Sequence, residues 1–532
     1  MPVDLLAPLG FAGAALVAAA LAAGFVDRAP LSFPIIFLGL GLLLGDGATG
    51  VLSLDVDAPV LQVVAVTLLA LVLFLDAVQL DVRRLRREWH VPALTLGPGT
   101  LLTIAGVSAA AVPLFGVPWA TAVVIGACLA STDAVTLRDV LRDERIVPSV
   151  RRSLGIEAGV NDLLILPVLL VAAAIAAGGA SSAVGWATFL LQLLVAAPLV
   201  GGLVGAGGAT VMGRISARRP VRQEYQSLFG IGLVLLAYVG GELVGGSGFL
   251  AAVAAGFAVN SVNHDLCDCF LTFGQNLAEV LLLVAFVLFG ALLSGTLTVA
   301  TLPAGLALAA LLLFVIRPGA VTASLAVRRN VLSTEARVLI AWFGPRGLAS
   351  LLLALLVLPQ GLPGGEALVP AVGWVVIVSV VLHGVSTSPV AAWYGRRAEA
   401  RTLPEAREGE GLDVLVDHGV DAPRIDVATL AAELDGGDPP LVVDVRTLGA
   451  REAEPVTIPG SVAVLPSELS DHLAALEGPR RLAFWCTCPQ EATAARAARR
   501  AIDEGHDAFA ISGGLTAWRE AGYPVDPLLR VA

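Results

Sequence analysis

Two short runs carry most of the chemistry in an otherwise oily chain: Ser131-Thr132-Asp133, and Glu157 followed by Asn161 and Asp162. A carboxylate at the middle of a membrane helix costs roughly 2.5 to 3.5 kcal/mol, so acids there face a cavity or a partner and mark an ion or proton path. Thr132 and Asp133 offer hard oxygen donors beside Gly126, on backbone that can unwind where it lines a cavity. Glu157 and Asn161 are four residues apart and share one helical face, with Asp162 next to it. Brought together, Thr132, Asp133, Asn161 and Asp162 form an oxygen set suited to Na⁺ or another small monovalent cation. Burial makes a carboxylate a better proton acceptor, so proton and cation compete for it. Asp162 is the first choice for that exchange and Asp133 the second.

Glu157 reads instead as a strut. Arg317 lies well inside an apolar run, with ten uncharged residues between it and Arg328, and it needs a buried anion. Glu157 is the natural partner, with Glu279 as competitor or third member. Arg346 sits in Phe343-Gly344-Pro345-Arg346-Gly347, where glycine and proline interrupt a span. It compensates helix dipoles and charge near the ions, or else snorkels to an interface.

The elements that must position these residues are membrane helices. Hydrophobic residues make up 57% of the 532, charged residues 14%, and mean hydropathy is +0.84. Apolar windows near 7–26, 31–52, 59–80, 91–115, 118–138, 154–178, 184–212, 227–246, 248–263, 273–294, 298–322, 337–358 and 368–395 give about thirteen spans. The first has no basic n-region or small-residue cleavage site and reads as a retained helix. Interrupted fifth and twelfth spans in matching places of two halves point to inverted repeats with a site at the midplane.

The chain has no lysine, so arginine sets the orientation. Arg83, Arg84, Arg86 and Arg87, then Arg142, Arg145, Arg151 and Arg152, and finally Arg396 and Arg397 fall in alternate loops, which places the N-terminus outside and the C-terminus in the cytoplasm of a multi-pass cell-membrane protein. The net charge of −11 gives no reason to expect a nucleic-acid partner. Five cysteines suggest no disulfide framework. Cys267, Cys269 and His264, read as a short loop, fall short of a usual zinc ligand set.

Over residues 1–395 these features resemble the NhaP-type sodium/proton exchanger branch of the monovalent cation:proton antiporters. Thr132-Asp133, the Glu157–Asp162 run, Arg317 and Gly344–Gly347 carry the resemblance. It implies a secondary transporter rather than an enzyme, without cofactors, that exchanges cation for proton one for one as a homodimer with an elevator-like motion. Asp162 and Asp133 would hold the ion, and Glu157 would pair with Arg317. Asn161, where electrogenic relatives carry aspartate, fits the electroneutral form. Ala158 stands where many NhaP-type proteins have serine, and Na⁺, K⁺ and Li⁺ all stay open.

The domain plan is then an exchanger domain over 1–396, an acidic linker over 397–423 and a soluble α/β domain over 424–528. Leu441–Arg446 and Arg480–Trp485 read as buried strands and Ala492–Glu504 as a helix. With Asp444-x-Arg446, Ile458-Pro459-Gly460 and Gly513-Gly514-Leu515, this portion resembles a rhodanese-like domain. Such domains carry a persulfide on the cysteine that ends the strand, here Cys486. Pro489 and Glu491 replace the glycine and arginine of the active loop, and a carboxylate there opposes an anionic sulfur donor. Cys488 offers a redox alternative. A regulatory or redox-sensing domain, a sulfurtransferase and an interaction module all remain open for it. For the whole chain, the readings from other classes are a membrane-anchored sulfurtransferase and a cation channel.

Overall fold

The computed structural model describes residues 33–80, 90–133 and, with short gaps, 136–400 and 422–527. The expected first span, Arg83–Arg87, most of the linker and Cys488–Gln490 lie outside the described residues. Two units are present, one built from residues 1–216 and 224–407 and another containing 408–532.

The first unit is helical. In chain order come α1 (Phe33–Leu44), α2 (Pro59–Gln79), α3 (Thr100–Phe115, preceded by His90–Leu94), α4 (Trp119–Ala130), α5 (Pro148–Ala176), α6 (Ala183–Leu191), α7 (Ala197–Arg218), α8 (Gln223–Leu243) and α9 (Gly248–Val262). They are followed by α10 (His264–Thr296), α11 (Leu302–Leu311), α12 (Arg317–Leu325), α13 (Thr334–Trp342), α14 (Leu348–Val357) and α15 (Leu368–Ala400). Among the described residues, eight helical stretches are long and apolar enough to cross a membrane.

Three spans contain a π turn, at Thr95–Gly99, Gln192–Ala196 and Leu312–Ile316. Each has a proline inside it or two residues beyond it: Pro98, Pro198 and Pro318. Proline has no N–H to return to the carbonyl four residues earlier, and a widened turn absorbs the lost bond.

Two spans break outright. After α4 the backbone is extended at Ser131 (φ −60°, ψ 136°), and between α13 and α14 residues 343–347 are non-helical. The twelfth apolar window is therefore two half-helices rather than one. The sequence reading of Cys267 and Cys269 as a loop needs correction, because both belong to α10. At 33 residues α10 is about 50 Å long, well beyond a hydrocarbon core of about 30 Å. Its first turns can carry polar residues outside the apolar layer.

The second unit is a five-stranded sheet in the order β1-β6-β5-β2-β4, with every pair parallel. The strands are β1 (Arg424–Ile425), β2 (Leu441–Asp444), β4 (Val462–Ala463), β5 (Arg481–Trp485) and β6 (Asp507–Ile511), while β3 (Val456–Thr457) and β7 (Asp526–Pro527) form a separate antiparallel pair. Central parallel strands are covered on both faces and read as continuous apolar runs. Val443 and Phe484 belong to one core cluster, whereas Val442, Ala483 and Trp485 belong to the other. Helices Leu469–Ala474 and Ala492–Asp503 supply residues to the first, and Val427–Leu434 and Gly514–Glu520 to the second.

Asp444, at the end of β2, is fully buried and bonds Arg446 through both carboxylate oxygens. Arg446 also donates to the Glu454 and Val456 carbonyls and lies 4.3 Å from the Trp485 ring centroid. Removing one partner of a buried pair costs about 3–5 kcal/mol. Arg446→Met is expected to make this unit of the full-length protein sensitive to limited proteolysis under conditions where the wild type resists. Equal resistance would contradict that role.

Candidate ion-binding site

The two broken spans meet. The Asp133 amide donates to the Pro345 carbonyl at 2.9 Å, and Arg346 Nη1 donates to the Ala130 and Ser131 carbonyls at 2.6 and 2.7 Å. Carbonyls freed at the end of α4 thus find donors on the other broken element, as buried backbone requires. Gly347 makes the approach possible, because a Cβ built there would collide with the Asp133 carboxylate. Gly347→Ala is expected to lower transport on the order of tenfold or more by displacing that carboxylate. Unchanged rates in reconstituted vesicles would contradict the contact.

Helix α5 brings the second run to the same place. Asn161 Nδ2 donates to the Ala130 carbonyl (2.9 Å) and to Thr132 Oγ1 (2.8 Å). A carbonyl only accepts, so the amide nitrogen is fixed there and Oδ1 points elsewhere. Asn161 Oδ1 is buried and has no hydrogen-bond partner among the described residues. Ser131 Oγ donates to Asp162 Oδ1 at 2.5 Å, and Thr136 Oγ1 to Asp133 Oδ2 at 2.6 Å. Thr132, Asp133, Asn161 and Asp162 are 2%, 4%, 1% and 7% exposed, so all four expected ligands are gathered in one buried cluster. Asp133 and Asp162 interact electrostatically with each other, and Arg346 with Asp162. The donor set is oxygen throughout, which suits a hard monovalent cation.

Glu157, one turn before Asn161, is paired with Arg317 Nη2, and both side chains are buried. Gly344 gives the guanidinium room, since a Cβ there would lie 2.5 Å from Arg317 Nε. Arg346 is fully buried at the break, so the snorkelling reading is not what the structure shows.

Sequence reasoning missed Asp76 and Thr136, and named Ser131 without giving it a partner. Asp76 on α2 interacts electrostatically with Asp162. It stands three residues before the helix end at Gln79, where an acid passes for an interfacial one. Ser131 and Thr136 are the hydroxyl donors to the two central carboxylates. Their spacing around Asp133 was the available signal.

In the other unit, Cys486 is buried at the end of β5, in the place the sequence suggested. Glu491 has φ 52° and turns its carboxylate to the Gly513 amide (2.8 Å) and Arg424 (2.7 Å). His264, Cys267 and Cys269 have side chains outside the described residues. Among the described residues no group of three His, Cys, Asp or Glu side chains could hold a metal ion.

The family described as "Sodium/hydrogen exchanger, transmembrane" matches residues 14–393. The chain is 27% identical over 361 residues to the K⁺/H⁺ antiporter NhaP of Alkalimonas amylolytica, covering 68% of this chain and 62% of that protein. It is 28% identical over 402 residues to the K⁺/H⁺ antiporter NhaP2 of Shewanella sp. (strain MR-4), covering 74% and 69%. Both of these relatives are antiporters, secondary transporters rather than enzymes. The fold is like that of the sodium proton antiporter MjNhaP1 from Methanocaldococcus jannaschii, with TM-score 0.60, 21% identity and coverage of 74% of this chain and all of that one. With its broken helices meeting at a buried oxygen cluster and the family match spanning most of its length, this chain belongs to the sodium/hydrogen exchanger transmembrane family.

Proposed function

We propose that the chain exchanges a monovalent cation for a proton across the membrane, with Asp162 as the group that binds either and Asp133 as the second carboxylate at the ion. One observation carries this reading. Two buried aspartates meet beside unwound backbone, while the hydrogen bonds of Arg346 Nη1 go to the Ala130 and Ser131 carbonyls. A site of that kind gains a positive charge from whichever of H⁺ or cation it holds. If each half-cycle carries one or the other on Asp162, the cycle moves no net charge, which is the electroneutral exchange expected from Asn161.

The relatives bear on the ion without fixing it for this chain. Two are named as K⁺/H⁺ antiporters and the structural neighbour as a sodium proton antiporter, so Na⁺, K⁺ and Li⁺ are all to be compared. Operation as a homodimer, inverted repeats, an external N-terminus and a cytoplasmic C-terminal unit complete the proposal. For that unit we favour a rhodanese-like regulatory role. Its parallel sheet and the placing of Cys486 at a strand end fit the fold, and the Glu491 carboxylate beside the loop argues against an anionic sulfur donor.

The test is collapse of an imposed ΔpH in proteoliposomes on adding Na⁺, K⁺ or Li⁺, at zero and at an imposed membrane potential. Cation-dependent collapse at a rate independent of potential is expected. A pH-independent current driven by voltage would favour a channel instead, and no response to any of the three would overturn the exchanger reading.

A further inference from the structure

Ser379, His383 and Ser386 on α15 recur at steps of four and three and so share a helical face. That helix packs against both α13 and α14, the two sides of the broken twelfth span. The Arg346 amide donates to Ser379 Oγ at 2.7 Å. Ser379 Oγ lies 3.2 Å from His383 Nδ1, and His383 Nε2 lies 3.1 Å from the Trp342 carbonyl. The indole N–H of Trp342 in turn donates to Ser386 Oγ at 3.1 Å.

Both ring nitrogens of His383 face a backbone carbonyl, Nε2 that of Trp342 and Nδ1 that of Ser379 at 2.9 Å, so the ring is held from both sides. The Ser379 oxygen keeps a lone pair for the Arg346 amide. Trp342 is the last residue of α13, and Arg346 lies at the end of the extended stretch, one residue before Gly347. The chain of bonds therefore grips residues 342–346 at both ends, where the helical ladder of α13 stops with the bond from the Phe343 amide to the Leu339 carbonyl.

We propose that Ser379 and His383 are positioning residues for the ion site. They strap the extended segment to α15 and so set the Arg346 guanidinium and the Pro345 carbonyl against residues 130–133. The functional part rests on the exchanger reading; the strap itself does not. The hydrogen bonds of both residues go to α15 itself and to Trp342 and Arg346, so their effect runs through the segment they hold.

The experiment uses the full chain and two readouts: amide hydrogen exchange at Arg346, and cation KM and kcat per folded protein. Ser379→Ala and His383→Phe are expected to speed exchange at Arg346 and to raise cation KM, each roughly fivefold, as loss of about one hydrogen bond implies. Turnover should change less than KM. Ser379→Thr keeps the hydroxyl, and His383→Gln keeps both a donor and an acceptor; both should restore the wild-type values. If His383→Phe does not fold, Ser379→Ala still decides. Unchanged exchange at Arg346 would overturn the strap. Faster exchange with unchanged KM, or lowered kcat at unchanged KM without rescue, would overturn the positioning role. A wild type that exchanges no cation would sink the antiporter reading instead, while protection of the Arg346 amide would still decide the strap.

Discussion

Asp162→Asn is expected to reduce cation-dependent ΔpH collapse to the level of protein-free vesicles while leaving the folded yield unchanged. The substituted amide has nearly the same shape, and its oxygen can still accept from Ser131, so the packing between α4 and α5 persists. It cannot take or release a proton near neutral pH, and it brings no charge to a bound cation. Asp162→Glu keeps the charge but moves it by one methylene, and partial activity with an altered cation preference is expected. Wild-type rates in Asp162→Asn would remove Asp162 from the exchange and pass the role to Asp133 or Asp76.

The second large effect concerns stability. Glu157 and Arg317 form a buried pair joining α5 to α12, with side chains 5% and 3% exposed. Replacing one partner, as in Glu157→Gln or Arg317→Met, leaves the other charge buried and uncompensated, at a cost of about 3–5 kcal/mol. Glu157 Oε2 and Arg317 Nε make no hydrogen bond among the described residues, so the pair recovers its desolvation cost incompletely. The double variant Glu157→Gln with Arg317→Met should therefore recover most of the loss. Thermal unfolding in detergent, followed by size-exclusion chromatography, reads both results. Single variants as stable as wild type, or a double variant worse than either single one, would contradict this role.

Much of the site was legible because charge in an apolar run is conspicuous. Asp133, Glu157, Asp162, Arg317 and Arg346 each interrupt hydrophobic sequence, and the helical spacing from Glu157 to Asn161 placed those two on one face. The pairing of Glu157 with Arg317 followed from the need of a buried guanidinium for an anion. Asp76 escaped notice near a helix end, where an acid costs little. The Ser379, His383 and Ser386 stripe escaped for a related reason. Hydroxyls and a neutral imidazole are cheap in a membrane helix, and their partners lie more than thirty residues away in sequence, at Arg346 and Trp342. The π turns had a visible cause in Pro98, Pro198 and Pro318, but proline alone does not say whether a helix kinks, widens or ends. In the C-terminal unit, the continuous apolar runs of β2 and β5 identified buried parallel strands. What Glu491 would bind was not readable, because Arg424 and Gly513 are distant in the chain.

Proton release on cation binding to the purified protein tests the central claim most directly. In weakly buffered solution near neutral pH, adding the transported cation to wild type should release up to about one proton per protomer, since ligand and proton compete for one carboxylate. Asp162→Asn should release none. Cation binding to wild type without proton release, or equal release from Asp162→Asn, would contradict competition at Asp162.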